Sequence, residues 1–423
     1  MGAPTPQRNT AAPTPVTKGW AIYVFMKPDA ALEAAAVADI EEMKRATPGD
    51  DVHVVVHFER ANDVERLSIE AGREVLAKSE PRRPTAEDSV CQFLAWASER
   101  YPATRRMLVI WGHSRGVGID LAGPSAAPEA VGLSRADLTL RRSPSGPPRD
   151  ALRIPALGKA ISSKLTASSQ DQRRIERKKP LDVLGFDACY MASLEYACEL
   201  ADEADYLIAA EGYVKRSGWD YRGVLDSVRS VNPVAPDALA WTIVDHAAAL
   251  EGNTALSRIA LNGIDLKGIR AASTASERAK VTGIVGAFYR LVNALTRVVA
   301  DPIEARALRI ALKRTNYLQV RQFLDVRDLC YRLADAFDGD IGAAAASVLQ
   351  EYDDMVDSRA TGTALGVLNG LSIYCPLFRA EPPIGGASVD VDAIVDRDEY
   401  AQLAFVKFTG WLKLCDMLEQ RTM

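Results

Sequence analysis

The stretch VIWGHSRGVG, Val109 to Gly118, sets two candidate chemistries side by side. Read from Gly112 it is G-x-S-x-G, the elbow that presents a hydrolase serine, here Ser114. Read from His113 it is an imidazole delivered at the end of an apolar run, a general acid/base whose nucleophile must come from elsewhere. A serine at 114 needs its own histidine downstream, on a loop. The one histidine after it, His246, lies in ALAWTIVDHAAALEG, whose spacing predicts a helix. The elbow also calls for a helix directly behind it, and GVGIDLAGPS holds three glycines and a proline instead. The imidazole does find a partner, because the next strand-like segment, LDVLGFDAC, ends at Cys189. Thiol and imidazole at successive strand ends suit nucleophilic catalysis, with histidine drawing off the thiol proton. Taken singly, each has a bland reading: a cysteine at a strand end is usually a small buried hydrophobe. The pair is the more specific signal.

The elements that must position these residues alternate. WAIYVFM (20–26), VHVVVHFE (52–59), RRMLVIWGH (105–113), LDVLGFDAC (181–189) and ADYLIAAEGY (204–213) read as strands. AAAVADIEEMKRA, stretches around 64–78 and 86–100, and YMASLEYACELADE read as helices between them. Such alternation predicts an α/β fold with a mostly parallel sheet sandwiched by helices, and function at the carboxyl ends of its strands. From about residue 226 the pattern turns mainly helical, with ALSRIALNGI and GLSIYCPL as strands returning to the sheet, and EYAQLAFVKFTGWLKLCDML as one closing amphipathic helix. The expected organisation is a disordered tail (1–18), a catalytic domain (19–255) and a mainly helical C-terminal domain (256–423) that lends strands to the sheet.

Bulk properties narrow the classes. The chain has 423 residues, 48% hydrophobic and 25% charged, with a net charge of −5. That balance favours neither nucleic acid nor a membrane surface, and no apolar run approaches the ~18 residues of a membrane span. Six scattered cysteines without a C-x-x-C pair, and four scattered histidines, argue against a disulfide framework and a zinc site. MGAPTPQRNTAAPTPVTKG lacks an apolar signal region, so a cytoplasmic location is expected. Residues 141–180 form a basic insertion, with eleven Lys/Arg against three Asp/Glu (+8), which leaves −13 for the rest of the chain. It reads as a loop around one helical stretch, IPALGKAISSKL.

WGHSRG together with LDVLGFDACYMASLEYA resembles the clostripain-like cysteine peptidases, family C11 of the caspase-like clan. The family block F-D-A-C-x-M-A-x-x-E is met by Phe186, Asp187, Ala188, Cys189, Met191, Ala192 and Glu195. IAAEGYVKRSGWDYRGVL and NGLSIYCP also look like family segments, so the likeness spans about residues 19 to 380. The family usually has His-Gly where this chain has His113-Ser114.

The resemblance implies a caspase-like fold and an endopeptidase with a His113–Cys189 dyad, working through an acyl-enzyme. Candidate oxyanion donors are the backbone N–H groups of Ser114 and Cys189. Family preference for Arg or Lys before the cut calls for a carboxylate in the S1 pocket, with Asp187, Asp220 and Glu211 as candidates. A basic segment beside an Arg/Lys-specific site is its own substrate, so self-processing of a zymogen within 141–180 is expected. No cofactor is required. Some relatives need calcium, and the acidic DAFDGD offers carboxylates at a spacing short of an EF-hand. The expected partners are peptides with Arg or Lys at P1, with room for a regulatory protein. The alternatives are an inactive caspase-like interaction module and a serine α/β-hydrolase built on GHSRG.

Overall fold

The structure is a computed structural model that describes residues 16–28, 32–60, 63–70, 73–81, 85–114, 119–120, 151–166, 178–212, 214–215, 217–230, 234–249, 255–317, 322–360, 368–378 and 397–420. Most of the expected tail, and 141–150 and 167–177 of the basic insertion, lie outside them.

Elements in chain order are β1 (Lys18–Met26), α1 (Glu33–Arg45), β2 (Val52–Glu59), β3 (Asp63–Glu70), β4 (Arg73–Pro81), α2 (Ala86–Arg100) and β5 (Ala103–Trp111). Three short strands follow, β6 (His113–Ser114), β7 (Ile119–Asp120) and β8 (Ala151–Leu152), then α3 (Ile154–Leu165), β9 (Leu181–Asp187), α4 (Leu194–Glu199) and β10 (Ala204–Ala210). After α5 (Tyr221–Ser230), α6 (Pro236–Ala249) and β11 (Ala255–Ala260) come α7 (Leu266–Ala271), α8 (Ala275–Ala279), α9 (Gly283–Val298) and α10 (Pro302–Arg314). The remainder is β12 (Phe323–Asp325), α11 (Val326–Ala336), α12 (Gly339–Met355), β13 (Val356–Ala360), β14 (Ser372–Tyr374), α13 (Arg397–Gln402), α14 (Ala404–Thr409) and α15 (Trp411–Gln420).

Nine strands form one sheet in the order β13-β11-β10-β9-β5-β1-β2-β3-β4. The middle five are parallel, and antiparallel pairs extend both edges. Parallel strands bury both faces, which is why they read as unbroken apolar runs. On β1, Ala21, Tyr23 and Phe25 join the core under α2, α3, α4 and the C-terminal helices. Trp20, Ile22, Val24 and Met26 join the opposite core, under α1, α5 and α6. The C-terminal helices share the first of these cores with the sheet.

Three local readings are corrected. The stretch around 64–78 is not a helix but the β3–β4 hairpin at the sheet edge. Its Glu, Arg, Lys and Leu residues favour helices in isolation, and pairing with β2 overrides that preference. GLSIYCPL does not reach the main sheet: β14 pairs with β12, and the main-sheet edge is supplied by β13, VDSRA. The closing helix is three pieces, broken at Leu403 and at Gly410, whose left-handed φ of 73° ends α14.

At the carboxyl edge, Lys27 and Glu59 follow β1 and close β2 as a buried ion pair at 3.2 Å. Burial alone would raise Glu59, but the His57 ring at 3.3 Å and the Lys27 charge help bring it down to about 2. Its stabilisation is complete above the usual glutamate range and disappears as pH falls through about 2. Glu59→Gln is therefore expected to cost about 3–5 kcal/mol in urea denaturation at neutral pH. That difference should shrink steadily as the titration moves below about pH 4.5.

Candidate active site

The geometry of the site starts from β5 and β9, which are adjacent and parallel, with Trp111 opposite Asp187. His113 and Cys189 each lie two residues beyond that pair, so both leave the same sheet edge from neighbouring strands. The Gly112 N–H donates to the Asp187 carbonyl at 3.3 Å and ties the two exits together. His113 is half-buried, while Cys189 is 7% exposed.

Beyond β9 the chain turns sharply at Tyr190, which holds a left-handed φ of 54° that a side-chain-bearing residue adopts only when its surroundings impose it. Those surroundings are visible. The Tyr190 N–H donates to Gly212 at 2.8 Å, Ala192 donates to Ala210 at 2.9 Å, and Ser372 donates to Ala192 at 2.9 Å. The Cys189 sulfur accepts the Val214 N–H at 3.3 Å. Burial pushes its thiol up to about 11, partly offset by that bond, so the resting group is a neutral thiol.

Asp187 projects to the α1/α5 face, 4% exposed. One of its oxygens accepts the Trp219 N–H at 3.1 Å and the Tyr221 hydroxyl at 3.0 Å. Gly218, with a left-handed φ of 58°, passes so close that a Cβ there would sit 2.5 Å from the carboxylate. Burial raises Asp187 to about 7 against those two bonds, with the Glu42 charge adding to the rise. Asp39 on α1 lies under the same edge, bonded by the Trp111 indole at 2.8 Å and raised to about 9 by burial and by Asp187.

The other candidates are engaged elsewhere. Asp220 caps α5 through the Gly223 N–H at 2.9 Å and holds His246 Nδ1 at 3.0 Å. His246 Nε2 reaches Ser227 at 3.1 Å. This copies the connectivity of a hydrolase triad, but Ser227 back-bonds the Gly223 carbonyl at 2.8 Å from inside a helix, where the backbone N–H groups are already used. The group fastens α5 to α6. Glu211 is buried against Gly370, whose N–H it accepts at 2.7 Å, and against Asp325. The Ser114 hydroxyl is buried at 2.9 Å from the Met191 sulfur. Among the described residues, no group of three His, Cys, Asp or Glu could hold a metal ion.

Asp39, Trp111, Tyr221 and Asp325 were not anticipated as parts of this edge. Asp39 carried a signal: it shares the buried stripe of α1 with Ala36, Ile40 and Met43, where a charged residue needs a reason.

Residues 146–299 match the model of one protein family. It is the clostripain family. The matched span holds Cys189 and Asp187 but begins after His113. A search of curated proteins finds no match. Among solved structures, a secreted C11 cysteine protease from Bacteroides thetaiotaomicron, bound to an irreversible peptide inhibitor, aligns with a TM-score of 0.58 at 16% identity, over 94% of this chain and 99% of its own. An inactive zymogen C11 protease from Parabacteroides distasonis aligns with a TM-score of 0.60 at 14% identity, over 93% and 99%. The clostripain resemblance and the caspase-like α/β fold both stand, and the family match supports reading the chain as a cysteine peptidase. The cytoplasmic location is overturned, because the Bacteroides thetaiotaomicron protein is a secreted protease. Free cysteines do not separate the two locations, because a chain with a core this large needs no disulfides in either compartment.

The raised thiol has a direct consequence. Iodoacetamide should alkylate Cys189 at neutral pH at least about tenfold more slowly than free cysteine. Peptide mapping against Cys189→Ala checks this, and a rate equal to that of free cysteine would contradict a buried neutral thiol.

Proposed function

We propose that the protein is an endopeptidase that cleaves after Arg or Lys, with Cys189 as nucleophile and His113 as acid/base. The observation that carries this reading is the β5–β9 register, with both residues two positions past paired Trp111 and Asp187 and a buried carboxylate at the same edge. Cys189 Sγ attacks the scissile carbonyl as its proton passes to His113. The tetrahedral oxyanion faces the backbone N–H groups of Cys189 and Ser114. Collapse forms a thioester while His113 protonates the departing amine, and His113 then activates water for deacylation. Because the resting thiol is neutral, thiolate forms on substrate engagement rather than as a standing ion pair.

Asp187 is the S1 carboxylate in this reading, because it ends the strand that carries Cys189 and only one of its oxygens is taken by Trp219 and Tyr221, whereas Asp220 fastens α5 to α6 and Glu211 is held by Gly370. A cationic P1 side chain entering the pocket favours the ionised form, so binding releases a proton whenever Asp187 starts protonated. With Asp187 raised to about 7 in the empty site, kcat/KM for Arg and Lys peptides should fall as pH drops below that value. Asp187→Asn should cost about a hundredfold or more on these substrates, because the cation is then buried unpaired. A fluorogenic panel varied at P1 measures both effects, and unchanged Arg and Lys cleavage by the variant would remove Asp187 from S1.

Processing of the basic insertion belongs to the same reading, supported by its charge and by the zymogen form of the Parabacteroides distasonis relative. Intact mass spectrometry of wild type should reveal fragments cut within 141–180 that Cys189→Ala lacks. Equal masses would count against self-processing.

A further inference from the structure

The segment after β10 meets the active-site edge at three described points. Gly212 accepts the Tyr190 N–H, Val214 donates to Cys189, and Trp219 donates to Asp187. At its root stands Glu211, 2% exposed, with one oxygen taken by the Gly370 N–H and the other facing the Asp325 carboxyl. Asp325 is fully buried. It accepts the Asp328 N–H at 2.7 Å, the Asn369 N–H at 2.6 Å and the Asn369 side-chain amide at 3.0 Å. Two facing carboxyls are both acceptors, so their contact is a bond only when one holds a proton. Asp325, with three N–H donors, is the better anion, and the proton belongs on Glu211.

We propose that Glu211, hydrogen-bonded to Asp325, is a positioning residue that holds Gly212, Val214 and Trp219 against the Cys189 turn and Asp187. This rests on the peptidase reading for its catalytic consequence, but not for its structural one. The pair anchors Gly212 and Val214 to the start of α11, so the height of Val214 over the thiol depends on a contact between two carboxyls more than a hundred residues apart in sequence. The other titratable groups around the pair are Cys330 on α11 and Tyr352 on α12, whose hydroxyl donates to Asn369 at 2.6 Å. Asp328 is held by Arg332 at 2.7 Å, and Arg327 and Asp353 form a part-exposed ion pair at 3.0 Å. Loss of the Glu211 proton as pH rises turns the bond into a repulsion between two buried carboxylates and loosens the root of the segment.

The test compares wild type, Glu211→Ala and Glu211→Gln by the rate of iodoacetamide attachment to Cys189, with Cys189→Ala as blank. Glutamine keeps one donor and one acceptor but cannot ionise. At neutral pH the alanine variant should react about fivefold or more faster, and the glutamine variant within about twofold of wild type. As pH rises above neutral, wild type should gain rate over Glu211→Gln beyond the rise both share from thiolate formation, because only wild type can lose the shared proton. Equal rates for alanine variant and wild type, or parallel pH curves for glutamine variant and wild type, would overturn the proposal. Should Glu211→Ala fail to fold by circular dichroism, the second comparison decides alone. In peptide turnover, kcat of the alanine variant should fall about tenfold or more, with the glutamine variant restoring it. Absence of turnover in wild type with the expected alkylation pattern would instead refute the peptidase reading and leave the positioning role standing.

Discussion

Parallel pairing of β5 with β9 is the constraint on which the rest of the edge depends. Hydrogen bonds between the two strands set the register at Trp111 opposite Asp187, and two further residues on each chain put an imidazole and a thiol at one edge. A one-residue slip would turn each side chain to the other face of the sheet, so the register decides more than proximity. Asp187 faces the α1/α5 core, while Phe186 and Cys189 belong with the opposite one. Acid and thiol thus emerge around the same strand end on different sides.

Burial at this edge carries an electrostatic cost that the fold meets by protonation and by directed N–H groups rather than by counter-ions. Asp187 receives a backbone N–H and a tyrosine hydroxyl, Asp39 receives an indole, and Asp325 receives three amide donors. These bonds moderate the rise that desolvation causes without abolishing it, leaving several carboxyls able to hold a proton near neutral pH. The Lys27–Glu59 pair two strands away illustrates the opposite solution, in which a permanent counter-ion holds the acid ionised.

Strain at Tyr190 fits the same picture. A left-handed residue directly after the candidate nucleophile persists because Gly212 on one side and the β14 strand on the other clamp the turn, through Tyr190, Ala192 and Ser372. β14 is therefore a brace for the cysteine turn rather than a main-sheet strand, and Ser193 bridges to Ser372 directly. The mainly helical C-terminal region acts on the site through this brace and through Asp325.

Much of this was legible in the residues. The alternation of apolar runs with helical spacing determined the parallel core, and a histidine and a cysteine at successive strand ends marked the edge that mattered, because strand period and crossover rules are local properties of the chain. The β3–β4 hairpin, β13 and the division of the last helix escaped, since each depends on a neighbour that outweighs local preference. The choice among acids was likewise beyond sequence. Asp187, Asp220 and Glu211 are near one another along the chain and chemically alike, yet one meets Trp219 and Tyr221, one meets His246, and one meets Asp325. What a carboxyl does follows from how far it is desolvated and which donors reach it, and only the packing of distant segments decides those two things.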